Sequence, residues 1–223
     1  PEYLLSSDNY EKTMEKAVRI NFSQMIKESN TAVDLKQLLA LFALLSTEPV
    51  SLSFLLHLFN QLRPYRTIKE RQLKLLCSRL VNYGYIENHS SSYTIHGAIQ
   101  IILLSLKELD INGVIEQLSA TKFLDDFSIT PEKYKYYLAI KPHLHQFFEK
   151  KLRFTEIFNT NIVDALIHFL NFLTFQSEPT ELAQKYVDSV RSLNDLDDAI
   201  LAQYTIAYAA NIAFKMPEIS DEI

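Results

Sequence analysis

Glycine is the residue that this sequence most clearly lacks: only Gly84, Gly97 and Gly113 occur among 223 residues. Glycine is the default residue at the positive backbone φ of tight hairpins and phosphate-cradling loops, so neither can be abundant here. The sequence contains no G-x-x-x-x-G-K-[ST] motif, and its three scattered glycines cannot build one. This scarcity favours an all-α fold and excludes a P-loop within these residues.

Cysteine and long apolar runs are also scarce. The single cysteine, Cys77, excludes an intrachain disulfide framework and fits a reducing compartment. No apolar run reaches the roughly 18–20 residues that cross a bilayer, and no signal peptide opens the chain. We therefore expect a cytoplasmic protein without a membrane segment. Because the chain starts at Pro1 rather than at a methionine, we expect it to be a piece of a longer protein.

The side chains that could carry catalysis are not arranged for it. Cys77 occupies a predicted core position and has no base partner in the sequence pattern. His143 and His145 lie two residues apart on a predicted helix and face different sides, which argues against metal ligation. We predict that the chain is not an enzyme and holds no metal. The isolated chain should neither hydrolyse ATP nor bind it tightly.

Apolar residues at helical spacing are abundant, and 48% of the chain is hydrophobic. The stretch Tyr10–Glu28 predicts one amphipathic helix. Three further apolar faces follow the i, i+3, i+4, i+7 spacing, the second of them with Ser51 as its N-cap. These faces are Leu35, Leu38, Leu39, Phe42 and Leu45; Leu52, Leu55, Leu56 and Phe59; and Leu73, Leu76, Cys77, Leu80 and Val81.

After the third face the period changes to that of strands. Tyr83–Glu87 and Tyr93–His96 are short β-prone runs, separated by the polar stretch Asn88–Ser92, and this is a hairpin signature. The helical period returns over Ala98–Leu109. Three short helices followed by a two-stranded hairpin form the winged-helix arrangement. We therefore expect a helical segment at residues 1–30 and a winged-helix domain at residues 31–110.

Residues 111–223 predict an α-helical, repeat-like (tetratricopeptide-like) array without a clean repeat period. Pro131 and Pro142 are each expected to start a helix, because proline suits the first helical turn. Further helices are expected at Ile162–Phe175, Pro179–Ser192 and Leu196–Phe214. The predicted fold class is all-α: a helical segment and a winged helix of three helices plus a β-hairpin, followed by the helical array.

Four stretches of this region resemble a known family: Ala40 to Val50, Leu55-Leu56, Leu75 to Ile86, and Tyr93 to Gln100. They are similar to the winged-helix region of STAND nucleotide-binding proteins of the NB-ARC type whose C-terminal arm is tetratricopeptide-like. In that group a strand ends in an apolar residue and a His, with a Gln four residues after the His. Ile95, His96 and Gln100 match this pattern. Ile140 to Leu144 also resembles the Pro-His-containing helix that often follows.

The resemblance implies a nucleotide-dependent molecular switch. A P-loop domain of the same full-length chain would bind ADP or ATP, the winged helix would clamp the ADP state, and the helical arm would sense a ligand or protein partner. His96 would contact the ADP phosphate, with Ile95 as the apolar member of the motif. Gly97 stands where the family has an Asp, which weakens the expected clamp. These residues would then be a non-catalytic regulatory and interaction segment.

A basic stretch supports an alternative function. Six cationic residues accompany one acid, Glu70, before and along the third helix, which in DNA-binding winged helices enters the major groove. The candidate nucleic-acid residues are Arg66, Lys69, Arg71 and Lys74. The net charge of −5 opposes this function, since nucleic-acid affinity rises with cation–phosphate contacts. The stretch would otherwise be a solvated face or a contact for the P-loop domain.

Two structural alternatives remain open. In the first, His96 is an ordinary strand-end histidine satisfied by the backbone, which is common in proteins without any site. The chain as a whole would then be a helical-repeat scaffold for protein–protein interaction, with no nucleotide partner.

Overall fold

The computed structural model describes residues 7–28, 30–63, 65–121, 124, 130–154 and 160–175. The chain divides into two compact units, residues 1–114 and 115–223. Helices predominate in the described ranges and the strands form one small antiparallel sheet, so the all-α fold with a small hairpin is confirmed. No helix in these ranges is both long and apolar enough to cross a bilayer.

The first unit has a winged-helix element order preceded by one long helix. It contains α1 (Ser7–Glu28), α2 (Ala32–Leu44), β1 (Val50–Ser51), α3 (Leu52–Gln61), α4 (Glu70–Asn82), β2 (Ile86–His89), β3 (Ser92–Ile95) and α5 (Gly97–Ser105). The division between the units falls within α6 (Ile111–Ser119). The second unit continues with α7 (Pro131–Phe154) and α8 (Thr160–Phe175).

The sheet has three strands in the order β1-β3-β2, one more than the sequence predicted. Val50 of β1 lies opposite Tyr93 of β3, so β1 pairs with the edge of β3 that does not pair with β2. A strand of two residues is too short to show a period, which is why it was missed. The predicted five-residue hairpin loop is also wrong, because His89 pairs with Ser92 and leaves a two-residue turn.

Helix α2 is the centre of the first unit. Every residue from Leu38 to Leu45 is buried, because α1, α3, α4 and α5 all pack against this helix. A helix that is apolar all round belongs inside a core. The predicted faces of α3 and α4 are buried as well, apart from Leu56 and Val81, which are half-buried. Ser51 caps α3 as predicted, accepting a hydrogen bond from the Phe54 amide at 3.3 Å.

The end of α4 is a Schellman motif. Gly84 has φ +73°, its amide donates to the Val81 carbonyl at 2.9 Å, and the Tyr85 amide donates to Leu80 at 3.0 Å. This geometry requires a left-handed residue after the helix, which glycine adopts without steric cost. The motif turns Tyr85 into the core, where its hydroxyl donates to the Val18 carbonyl at 3.0 Å.

Helix α1 is part of the same core. Val18, Phe22 and Met25 are buried, and α1 packs against α2 and α5. The Asn21 side chain donates to the carbonyl of Tyr83 at 3.2 Å, so α1 also contacts the end of α4.

The connector between α3 and α4 is held by one amide side chain. Asn60 accepts from the Ile68 amide at 2.8 Å and donates to the Ile68 carbonyl at 3.2 Å. These two bonds satisfy the backbone N–H and C=O of Ile68, which have no strand or helix partner in the connector. The start of α4 is fixed in the same way, since the Gln72 side chain accepts from the Lys69 amide at 2.8 Å.

The second unit packs aromatic side chains of α7 and α8 together. Tyr137 lies 5.4 Å from Phe172 and Phe148 stacks on Phe169 at 5.6 Å, measured between ring centroids. All four of these residues are buried, so the aromatic contacts form part of the core of the second unit. The helices predicted at residues 179–192 and 196–214 lie outside the described residues.

The prediction that Pro142 starts a helix is wrong, because Pro142 lies inside α7. Pro131 does start this helix, and Thr130 caps it by accepting from the Lys133 amide at 3.2 Å. A proline inside a helix costs about 3 kcal/mol. The buried face that continues on both sides, from Ile140 to Leu144, offsets this cost and keeps the helix whole.

Candidate functional site

The candidate site begins at His96, which follows the central strand β3 and is the N-cap of α5. Its side chain is exposed, whereas Ile95 before it is only 2% exposed. The alternation follows from the strand period, because successive side chains point to opposite faces of the sheet. Ile95 therefore packs in the core and His96 remains accessible.

The hydrogen bond at His96 determines which of its nitrogens can donate. The Ala98 amide donates to His96 Nδ1 at 3.3 Å, so Nδ1 acts as an acceptor and carries no proton. A neutral imidazole in this tautomer carries its proton on Nε2. His96 therefore offers an Nε2–H donor.

Gln100, one turn further on, has a different role. It is 7% exposed, and its amide donates to the carbonyls of Phe42 at 2.9 Å and Leu45 at 2.6 Å. The last carbonyls of a helix have no partner within that helix. Gln100 satisfies them at the end of α2 and joins α5 to the core.

Gly97 has no side chain that could orient the imidazole. A methyl group at this position would lie 3.8 Å from Thr47 Cγ2, which is ordinary contact, so space alone does not require glycine. In the structure the backbone N–H of Ala98 holds the His96 ring instead.

The basic stretch divides into exposed and engaged side chains. Arg66, Lys69, Arg71 and Lys74 are exposed, and Lys74 forms an ion pair with Glu70 at 2.6 Å. Such i, i+4 pairs on a helix surface contribute only about 0.3–0.5 kcal/mol. Leu75 lies on the same side of α4 and is 60% exposed.

Arg63 and Arg79 are engaged within the fold. Arg63 bonds to Asp34 and to Gln37 of α2 and lies over the Phe59 ring, 5.1 Å from its centroid. Arg79 donates to Thr31 Oγ1 at 2.6 Å. These two cations hold the connector and α4 against α2, which the sequence could not show because charge runs carry no pairing information.

Cys77 is fully buried in α4. Burial raises the pKa of its thiol from 9.0 to about 12, and its side chain is hydrogen-bonded to that of Tyr93. A thiol in this state is not a nucleophile at neutral pH. The sequence argued against metal ligation by His143 and His145. Both lie in α7, where His143 is buried and His145 is half-buried. Within the described ranges, no three His, Cys, Asp or Glu side chains are grouped to hold a metal ion.

Comparison of the chain with protein-family models, with curated proteins and with solved structures gives no match.

Proposed function

We propose that this chain is a regulatory and interaction segment of a cytoplasmic, nucleotide-dependent switch and is non-catalytic by itself. In this proposal the winged helix closes on ADP held by a P-loop domain of the same protein. The helical second unit senses the ligand or protein partner that releases the closed state.

The division of roles between His96 and Gln100 carries the proposal. Gln100 has a structural role, since its side-chain amide donates to two backbone carbonyls of the core. His96 is exposed and keeps an Nε2–H donor. A donor of this kind can bond a phosphate oxygen, and such bonds to charged groups are stronger than neutral ones.

The position of His96 also favours the binding of a phosphate. It stands at the N-terminus of α5, where the helix dipole is positive and attracts anions. The phosphate of ADP would therefore meet a hydrogen-bond donor and a favourable local field at one place.

The experiment compares ADP retention by the complete gene product and its His96→Ala variant. Loss of one bond to a charged group costs about 1.5–3 kcal/mol, so we expect ADP to be released about 10- to 150-fold more readily. The matched control is His89→Ala, which removes an exposed histidine from the wing strand β2. Absence of bound nucleotide in the wild type, or equal retention in wild type and His96→Ala, would reject the proposal.

A second candidate function is nucleic-acid binding through α4. The observation that favours it is the distribution of charge between the units. The first unit has twelve Lys and Arg against eleven Asp and Glu, and the second has ten against sixteen. The acidity that argued against nucleic acid therefore belongs to the second unit, while the exposed side of α4 is basic.

A further inference from the structure

The outer side of α4 combines exposed cations with an exposed apolar residue. Arg71, Lys74, Leu75 and Ser78 follow the i, i+3, i+4, i+7 spacing, so they share the side of the helix opposite to its buried residues. Leu75 is 60% exposed, and Arg71 lies one turn before it. We call Arg71, Lys74, Leu75 and Ser78 the outer α4 surface.

The positive charge of this surface and of the connector before it is not neutralised by the described fold. Arg66, Lys69 and Arg71 are exposed, and none of the three forms an ion pair with the residues that the structure describes. Lys74 is paired with Glu70 at 2.6 Å, but both side chains are more than half exposed. Such a surface pair contributes little to stability, so it can open for a partner. This charge is complementary to an acidic partner.

Leu75 indicates which other group the partner must present. A single exposed leucine is normal on a protein surface, so Leu75 by itself indicates no binding site. Here it lies among cations that would attract an acidic partner. The Ser78 hydroxyl already donates to the carbonyl of Lys74 at 2.9 Å, so covering Leu75 leaves that hydroxyl satisfied. A complementary partner therefore has an apolar side chain flanked by acidic ones.

The hairpin beside α4 favours a protein over a nucleic acid as this partner. Strand β2 contacts α4, and the hairpin from Ile86 to Ile95 contains no Lys or Arg. The side chain of Glu87 in β2 is 76% exposed, and its carboxylate lies 3.7 Å from His89 Nε2. Nucleic-acid affinity rises with the number of phosphates that Lys and Arg neutralise, and a carboxylate repels phosphates. The positive surface thus ends at the hairpin, which suits one acidic helix better than a long phosphate backbone.

We propose that the outer α4 surface binds an acidic amphipathic helix of another protein. The backbone N–H and C=O groups within α4 are bonded along the helix, so an extended peptide finds no strand edge to pair with there. A helix can place an apolar side chain on Leu75 and carboxylates on Arg71 and Lys74, while further acids reach Arg66 and Lys69. This inference goes beyond the proposed function and requires no nucleotide.

The test titrates the 223-residue chain into a labelled synthetic peptide and follows fluorescence anisotropy. The peptide consists of about 18 residues of glutamate, leucine and alanine with the leucines on one side, because shorter isolated helices are marginal in water. A second peptide, with every leucine replaced by serine, has the same charge. We expect the leucine peptide to bind roughly tenfold more tightly than the serine peptide, and added salt to weaken the binding of both.

Two variants test whether the peptide binds at α4. Leu75→Ser should remove the preference for the leucine peptide, and Arg71→Glu should weaken the binding of both peptides severalfold. The matched controls are Ile20→Ser, at an apolar residue that is 55% exposed beside Arg19 on α1, and Lys107→Glu, at an exposed cation outside α4. Both controls should bind like the wild type. Thermal melting checks that each variant folds, and Leu75→Ala or Arg71→Ala replaces one that does not.

Four outcomes would reject the inference. Equal binding of the two peptides, or the same loss in Ile20→Ser as in Leu75→Ser, would show that Leu75 is not the apolar contact. Tighter binding of a duplex DNA of equal charge would assign the surface to nucleic acid. Binding to the 223-residue chain but not to the complete gene product, with or without ADP, would show that α4 is covered within the protein. None of these results changes ADP retention, which tests the proposed function separately.

Discussion

At the scale of single residues, the sequence pattern identified His96 and Gln100 together but did not show that the two side chains have different roles. Ile95 packs in the core and His96 does not, because successive side chains of a strand point to opposite faces of the sheet. The burial of Gln100 could not be predicted, because its partners are carbonyls of Phe42 and Leu45, far away in sequence. A polar residue at a core position becomes interpretable only when its hydrogen-bond partners are visible.

Cys77 and the buried tyrosines determine how the stability of the protein should change at alkaline pH. Burial raises the pKa of Cys77 to about 12 and raises the pKa values of Tyr85 and Tyr93 as well. These groups ionise first in the unfolded chain, so their contribution is fully present below the unfolded pKa values of 9.0 and 10.0 and is lost above them. The contribution of these three groups to the free energy of unfolding should therefore be constant through neutral pH and fall above about pH 9.

Urea unfolding from pH 8 to pH 10 measures this loss. One thiol contributes up to about 1.4 kcal/mol per pH unit, so Cys77→Ala should lose about 1 kcal/mol less than the wild type between pH 8.5 and pH 10. The slopes are compared rather than the absolute stabilities, because the substitution also leaves a small cavity. Parallel curves for the two proteins would contradict the buried, neutral thiol.

At the scale of secondary-structure elements, helices with a clear apolar period were predicted and their ends were not. The hairpin strands lie up to three residues from their predicted bounds, since Asn88 and His89 extend β2 although both are polar. They can do so because this edge strand is exposed there and a polar side chain costs nothing. Pro142 was misread for the opposite reason: local propensity indicated a break, and burial on both sides overrode it.

The Schellman motif after α4 predicts a specific cost for one substitution. Gly84 has φ +73° and a methyl group there would meet no atom within 4 Å, so Gly84→Ala tests backbone conformation without a clash. The left-handed conformation costs a non-glycine residue about 1–2 kcal/mol. Chemical denaturation should show this loss.

Gly97→Ala is the control for that experiment. Gly97 begins α5 without a positive φ, and a methyl group there would make only ordinary contact with Thr47. We expect its stability to be unchanged or raised by up to about 1 kcal/mol, since alanine loses less entropy in a helix. An equal loss in both variants would show that the cost at Gly84 does not come from its backbone conformation.

Helix α4 distinguishes the proposed function from nucleic-acid binding. If the switch proposal holds, the chain should bind duplex DNA only non-specifically, with Kd of about 10⁻⁴–10⁻⁶ M at physiological salt. Fluorescence anisotropy with several duplexes measures this affinity. Nanomolar, sequence-selective binding that is lost in the Arg71→Glu, Lys74→Glu double variant would favour the second candidate.

At the scale of the whole molecule, composition predicted the fold class better than it predicted the charge and polarity of the surface. Scarce glycine and abundant apolar residues at helical spacing correctly indicated a mostly helical fold, and two short β-prone runs correctly indicated the hairpin. Net charge averages a nearly neutral first unit with an acidic second one, so it does not describe the charge of α4 alone. The exposure of Ile101 was also hidden, since a run such as Ile101-Ile102-Leu103-Leu104 looks like core from sequence alone.

The most direct measurement is a structure of the complete gene product purified with ADP. The account predicts that His96 Nε2 lies about 2.7–3.2 Å from a phosphate oxygen of the nucleotide, while Nδ1 still accepts from the Ala98 amide. A structure with ADP bound and His96 Nε2 facing solvent or the protein's own backbone, far from any phosphate, would contradict it.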